Sequence, residues 1–383
     1  MSYQFSDNGI RSQYLAGVKR IVVKVGSNVL RENPARNTAA LIDQLQLLRQ
    51  RGLEVILVTS GAIPLGMSIL GKRVRPKELA KVQGLSAVGQ CALMHHYENA
   101  CEKHRTHCAQ LLLTAADLRD RERNTHVAAC MRGLLDEGIL PIINENDSVT
   151  VAEIKIGDND TLAAMVATML GADLTVLMTT VDAFHEVDRD TGEYGRRFSV
   201  VTSLDEDLLS MAGSTDGNQY STGGMMTKLH AASICMADGH ALAIIDGRDF
   251  ANLGRLMAGE DIGTIFCNGG SKSHLRSWQR FLTFFSEPAG AIIIDDGAQE
   301  ALCIRNKSLL PGGVLGIRGA FRRGDPIQIV NTHGREVARG IVNFSSDELA
   351  RICGAKSSQF AELLGHPVEQ AEAVHKDYMV LIR

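Results

Sequence analysis

This chain of 383 residues predicts an α/β fold of three layers, with helices on both faces of a mostly parallel sheet of about eight strands, followed by a small β-rich, barrel-like domain. Three observations carry that expectation. Short apolar runs of strand character alternate with amphipathic helices between residues 20 and 266. Several of those runs end in a polar, glycine-containing turn, as strands do where an α/β sheet binds its ligands. After residue 268 the composition changes to short strands separated by many turns. The expected organisation is an N-terminal extension read as loose (1–17), a first domain (18–267), a linker (268–286), a second domain (287–366) and a C-terminal tail (367–383).

Bulk properties exclude some functions. With 45% hydrophobic and 22% charged residues the chain reads as soluble and globular. A net charge of −4 gives no general attraction to nucleic acid or to an anionic membrane. No apolar run reaches the roughly 18–20 residues of a membrane span, and the first residues lack the pattern of an export signal. The eight cysteines show no paired spacing, so reduced thiols in a cytoplasm are expected.

Taken in order, residues 20–25 (RIVVKV) form a strand followed by Gly26-Ser27-Asn28. A lysine in a buried strand is costly unless it projects from the C-terminal end, where it can meet an anion. Gly26 lets the backbone approach a phosphate closely, and Ser27 adds a donor. Residues 38–51 are an amphipathic helix with Leu41, Leu45 and Leu48 on one face. The strand 54–58 runs into Thr59-Ser60-Gly61-Ala62, which offers backbone N–H groups and a hydroxyl to a carboxylate or phosphate. A nucleophilic serine is not expected, because TSGA lacks the G-x-S-x-G elbow. The helix 78–104 carries Cys91, His95, His96, Cys101 and His104, with His107 and Cys108 just beyond. Their spacing matches no zinc signature, so they read as ordinary helix residues.

Residues 141–160 (PIINENDSVTVAEIKIGDND) are the most informative stretch. A strand turns abruptly polar at Asn144, Glu145, Asn146 and Asp147. An alternating run through Val149, Val151, Ile154 and Ile156 leads to Gly157-Asp158-Asn159-Asp160, ahead of an apolar helix at 161–170. Carboxylates there would fix a cationic group, while amides and free N–H groups at a helix start would take an anionic one.

The strand 173–178 ends in Thr179-Thr180-Val181-Asp182, and a polar loop and a weak helix (204–212) follow. Ser221-Thr222-Gly223-Gly224-Met225-Met226-Thr227-Lys228 then opens a helix at 228–238, giving an anion-binding turn with a movable positive charge. Strands at 241–245 and 263–266 complete the sheet. In the second domain, Arg318, Arg322, Arg323, Arg335 and Arg339 read either as a solvated face or as an RNA-facing patch.

Five segments, VVKVGSNVL (22–30), VTSGAI (58–63), INENDSV (143–149), AEIKIGDND (152–160) and STGGMMTK (221–228), together resemble the amino acid kinase family. GAFRRGD and GREVARGIVNFSSDEL resemble the PUA domain attached to the family's glutamate-phosphorylating bacterial branch. The resemblance implies ATP-dependent phosphorylation of the glutamate γ-carboxylate to γ-glutamyl phosphate, the first step of proline biosynthesis. It implies ATP and Mg²⁺, the metal arriving on the nucleotide rather than in a protein cage. By similarity, Lys24 contacts the transferring and β-phosphates, Lys228 neutralises the leaving side and Asp160 holds both lysines. Ser60, Gly61, Asn144, Asp147, Asp158 and Asn159 would bind glutamate. Gly26, Ser27, Thr179, Thr180, Thr222, Gly223, Gly224, Met225, Met226 and Thr227 would line the nucleotide, with Gly26 and Gly61 supplying backbone donors. A homo-oligomer (dimer or tetramer) built through the first domain and feedback inhibition by proline are further family expectations. One region departs from the family pattern: Thr180 replaces an Asp, and Ala183-Phe184-His185 replaces Gly-Leu-Tyr. That departure keeps open the alternative of a degenerate kinase fold retained as a regulatory or RNA-binding protein.

Overall fold

The computed structural model describes residues 3–7, 9–150, 159–187, 191, 193–205, 208, 222–268, 277–355, 357–368 and 370–382. The chain divides into two compact units, Met1–Leu118 with Glu122–His274, and Arg119–Arg121 with Leu275–Arg383.

The first unit is built on a sheet containing β1 (Tyr3–Gln4), β2 (Arg20–Val25), β3 (Glu54–Val58), β4 (Cys108–Leu113), β5 (Leu140–Glu145) and β6 (Leu174–Thr179). The hairpin strands β7 (His185–Val187) and β8 (Tyr194–Arg197) stand apart, and β9 (Val200–Val201), β10 (Ala241–Asp246) and β11 (Thr264–Phe266) rejoin the sheet. The nine strands run in the order β1-β9-β11-β10-β6-β2-β3-β5-β4. Every pairing from β10 to β4 is parallel, while β11 on β10 and β1 on β9 are antiparallel. Expected at about eight strands, the sheet gains its unforeseen members in two-residue strands too short to show a period of two.

Helices pack on this sheet in the order α1 (Ile10–Leu15), α2 (Ser27–Leu30), α3 (Pro34–Gln50), α4 (Ala62–Ile69), α5 (Leu79–Glu102), α6 (Ala115–Arg119) and α7 (Arg121–Asp136). Three more follow, α8 (Asn159–Leu170), α9 (Thr222–Asp238) and α10 (Ala251–Met257). α3 starts earlier than its leucine stripe suggests, because Asn33 caps it by accepting from Arg36 N–H at 3.2 Å and Pro34 takes the first helical position. Leu41, Ile42, Leu45 and Leu48 are then buried in one core with Val23, Val25, Leu57 and Val176. α9 also starts earlier than expected. Thr222, Gly223 and Gly224 form its first turn rather than a turn ahead of it.

β2 is the strand at which the chain changes direction. From β2 the chain moves to β3 on one side, and after β5 it crosses back to β6 on the other. Ligands in open α/β sheets bind at such a switch, outside the carboxyl ends of the strands. Lys24 lies at the carboxyl end of β2.

The residues expected to form a loose extension, 1–17, are instead integral. β1 pairs with β9, and Arg11 on α1 is fully buried with its guanidinium on backbone carbonyls. The sequence reading failed because the segments are short and because arginine is ordinarily an exposed residue. The hairpin run 151–158, Ser221 and most of the helix expected at 204–212 lie outside the described residues.

The second unit has a five-stranded sheet, β12 (Gly290–Ile294), β13 (Val314–Gly319), β14 (Pro326–Val330), β15 (Glu336–Val342) and β16 (Val374–Leu381), in the order β13-β12-β14-β15-β16. Ile292, Ile294, Ile327 and Ile329 fill its core with Phe344 and with Leu349 of the Ser346–Ile352 helix, which a Ser345–Glu348 capping box starts. The tail expected from 367 is therefore corrected, since β16 pairs with β15 and buries Val374 and Met379. Part of the expected linker is structured too: a turn at Phe281–Phe285 buries Leu282 and Phe285. Of the five arginines, Arg339 is paired with Glu336 at 2.6 Å, while Arg318, Arg322, Arg323 and Arg335 are exposed.

Candidate active site

At the carboxyl end of β2, Lys24 retains only 8% exposure, and so does Lys228 on the second turn of α9. Both reach Asp160, in the first turn of α8. Lys24 Nζ lies 2.5 Å from Asp160 Oδ1, and Lys228 Nζ lies 3.0 Å from Oδ2. Lys228 also donates to the Gly224 carbonyl one turn back at 2.9 Å, and the Thr227 hydroxyl donates to Asp160 Oδ2 at 3.4 Å. Burial pushes the Asp160 carboxyl upward, but the two ammonium groups outweigh it and hold it below the ordinary carboxylate range. Two cations facing one anion leave this trio with a positive charge in excess. A buried excess charge is costly until an anion arrives to meet it.

Asn159, the neighbour of Asp160, organises the adjoining polar pocket. Its Nδ2 lies 2.8 Å from Thr59 O, 2.7 Å from Ser60 Oγ and 2.9 Å from Asn144 Oδ1. It thereby ties the ends of β3 and β5 to the start of α8. Asn159 Oδ1 is buried and meets no donor among the described residues. Asn144 is only 3% exposed and donates to Gln90 Oε1 at 2.9 Å. Asp147 accepts from the Ser86 hydroxyl at 3.4 Å.

Gly61 sits at φ 109°, a left-handed conformation that glycine adopts without strain, and turns the chain from β3 into α4. The expectation for Gly26 needs correction. Its N–H already donates to Met178 O at 3.0 Å, so it offers no donor to a phosphate. The same bond fixes the β2 turn to β6. Ser27 begins α2 beside it, and a Cβ on Gly61 would come within 4.0 Å of Ser27 Cα, so the two turns adjoin.

Thr179 closes β6 and accepts from Gly247 N–H at 2.7 Å, with Thr180 exposed beyond it. Gly224 and Met226 are exposed on the first turns of α9 and Met225 and Thr227 are half-buried, while Thr222 and Gly223 are described by backbone alone. Asp158 lies outside the described residues. The structure thus brings Lys24, Asp160 and Lys228 together, and separately Ser60, Asn144 and Asn159, with the two groups joined at the start of α8. In the departing segment, Ala183 and Phe184 are buried, Phe184 stacking on Phe198 at 5.0 Å, and His185 Nε2 lies 3.2 Å from Asp182.

The sequence reading missed the supporting residues on α5. Ser86 and Gln90 touch the pocket, and the buried Tyr97 hydroxyl meets Thr59 Oγ1 at 2.7 Å. Gly66 and Gly89 make that support close: a Cβ on Gly66 would fall 2.0 Å from Leu85 O, and one on Gly89 1.7 Å from Ala62 O. Two glycines in otherwise helical segments were the available signal. Among the pairings of the histidine- and cysteine-bearing segment, His104 meets Asp43 at 2.7 Å and His95 meets Asn99 at 3.1 Å.

A parallel sheet with lysines from two distant elements converging on one carboxylate at its switch strand defines an α/β protein equipped to bind a transferring anion. The chain belongs to the amino acid kinase family, whose model matches residues 19–246, and a PUA domain model matches residues 290–364. Curated relatives named glutamate 5-kinase are similar along nearly the whole chain. That of Caldanaerobacter subterraneus subsp. tengcongensis is 40% identical over 367 residues, covering 95% of this chain and 98% of the relative. That of Stutzerimonas stutzeri is 40% identical over 372 residues (96% and 99%), and that of Geobacter sulfurreducens is 38% identical over 379 residues (97% and 100%).

Proposed function

We infer that this chain transfers the γ-phosphoryl group of ATP to the γ-carboxylate of glutamate, giving γ-glutamyl phosphate and opening proline biosynthesis. The observation that carries this reading is the surplus of buried positive charge where Lys24 and Lys228 share Asp160, beside a pocket of amides and a hydroxyl. The similarity to glutamate 5-kinases supplies the substrate.

The chemistry suits these residues. A carboxylate with an ordinary pKa near 4 is already ionised at neutral pH, so the nucleophile needs no general base. What opposes reaction is repulsion between two anions and the charge spread over the phosphoryl group in transit. Lys24 and Lys228 meet that charge from two sides, and Asp160 keeps their ammonium groups in place. Asn159, Ser60, Asn144 and Asp147 hold glutamate, the free Asn159 Oδ1 accepting from its α-ammonium. Ser27, Thr179, Thr180 and the first turns of α9 line the nucleotide. Mg²⁺ would arrive with ATP rather than in a protein cage, and would shield the phosphate charge.

The same reading extends to proline as a feedback inhibitor competing for the glutamate pocket, to a homo-oligomer formed through the first unit, and to a cytoplasmic enzyme. Among the described residues, no helix is long and apolar enough to cross a membrane. The exposed Arg318, Arg322, Arg323 and Arg335 are where RNA binding by the second unit is to be sought.

The test is to incubate the purified protein with ATP, Mg²⁺ and glutamate and trap the acyl phosphate with hydroxylamine. Hydroxamate well above an Asp160→Ala control is expected. None above that control overturns the reading.

A further inference from the structure

We propose that Arg11 is a positioning residue for the nucleotide half of the site, acting through a latch that the N-terminal arm makes with β9 and the turn before β11. The inference rests on the kinase reading above and concerns residues that touch neither substrate.

Arg11 is fully buried. Nη1 donates to Glu260 O at 3.0 Å and Ile262 O at 2.7 Å, and Nη2 to Ser199 O at 3.1 Å and Gly263 O at 3.0 Å. Nε lies 3.4 Å from Asp261 Oδ1. One guanidinium thus gathers carbonyls from two segments far apart in sequence, which only its planar fork of donors can do. The arm is shaped for this locally. Asp7 accepts from the N–H groups of Gly9 and Arg11 and so starts α1.

The latch continues into the hairpin β7–β8. Asp261 also accepts from the Ser199 hydroxyl at 2.7 Å and pairs with Arg197 at 2.9 Å. Phe5 of the arm stacks on Phe198 at 5.2 Å, and the Arg196 guanidinium covers the other side of the group, 3.9 Å from the Phe5 centroid. Phe198 in turn stacks on Phe184 and donates its N–H to the Phe184 carbonyl. Phe184 belongs to the segment that leaves the end of β6, four residues past Thr180 with Val181, Asp182 and Ala183 between.

Direction decides which half of the site this affects. β11 is antiparallel to β10, with Thr264 opposite Ile244, so the turn held by Arg11 lies at the carboxyl end of β10. That is the end of the sheet carrying Thr179, Thr180 and Lys24. The latched strands stand on the β6–β10 wing, whereas Ser60 and Asn144 stand on the β3–β5 wing, on the opposite side of β2. Loosening the latch therefore reaches the nucleotide before the carboxylate substrate.

The experiment compares Arg11→Gln and Arg11→Lys with the unaltered enzyme in the hydroxamate assay. KM for MgATP, KM for glutamate and kcat are measured separately, with calorimetry of MgATP binding alongside. Arg11→Gln should raise the MgATP KM and Kd at least about fivefold while the glutamate KM stays within about twofold. Arg11→Lys should recover only part of the loss. If Arg11→Gln does not fold, Phe5→Ala loosens the same latch from its outer side and should raise the MgATP KM with the same selectivity. Equal changes in both KM values, or a lowered Tm with both unchanged, overturn the proposal. An unaltered protein that makes no hydroxamate overturns the kinase reading instead, and the MgATP Kd still reports on the latch.

Discussion

Lys24 and Lys228 hold opposite oxygens of the same carboxylate, at 2.5 Å and 3.0 Å from Asp160. Neither lysine is sensible alone. Each residue is only 8% exposed, and the shared anion offsets most of the cost of burying its ammonium group.

Replacing that anion should therefore harm both chemistry and folding. Asp160→Asn leaves two buried cations facing each other. Hydroxamate formation should fall at least about 100-fold, the scale of losing an aimed charge in a transition-state site. Denaturant unfolding should show a loss of about 3 kcal/mol or more.

The same residue predicts an acid limb in the stability profile. Asp160 is depressed in the folded protein, so its contribution is complete above the unfolded value near 4 and disappears as pH falls through the folded value. Unfolding midpoints measured from pH 6 down to pH 3 should drop more steeply in the unaltered protein than in Asp160→Asn.

A second pH dependence arises in the link between α9 and β10, at the sheet end away from the lysines. Burial alone would drive His240 down, but Cys235 and Asp238 beside it, the latter 3.3 Å from Nδ1, carry the imidazole up to about 9. A raised value means stability that is complete below the unfolded pKa near 6.5 and is lost as pH rises through 9. Melting curves between pH 6.5 and 9.5 should reveal a decline on the order of 3 kcal/mol, and His240→Gln should flatten it.

Asn159 separates the two substrates. Asn159→Ala removes its contacts with Ser60 Oγ, Asn144 Oδ1 and Thr59 O. The glutamate KM should rise by about tenfold or more, the effect of one or two lost hydrogen bonds. The ATP KM should remain within about twofold, and steady-state kinetics with each substrate varied in turn decides it.

The close crossing of α4 and α5 should be equally specific. Gly89→Ala places a methyl group 1.7 Å from Ala62 O, against backbone that cannot yield as a side chain would. A loss of about 1–3 kcal/mol is expected from thermal melts. Because Ser86 and Gln90 ride on α5, the glutamate KM should rise with it, whereas Gly84→Ala on the same helix meets nothing within 4 Å and should leave that KM unchanged while stabilising the helix by about 0.5–1 kcal/mol.

Much of this was legible in the residues themselves. Short continuous apolar runs and helices with leucine stripes specify an α/β sheet because burial must match backbone geometry locally. Lys24 after three apolar residues, and Asp158-Asn159-Asp160 before an apolar helix, break that local logic and so betray a site. Folding settled what no window of sequence contains. It set Lys228 against Asp160, aimed the Gly26 N–H at Met178 rather than at a ligand, carried Ser86 and Gln90 to the pocket, and sealed Arg11 beneath the sheet edge. Those arrangements depend on contacts between residues tens to hundreds of positions apart. The free energy of a buried charge or donor is determined by the partner it meets, not by its neighbours along the chain.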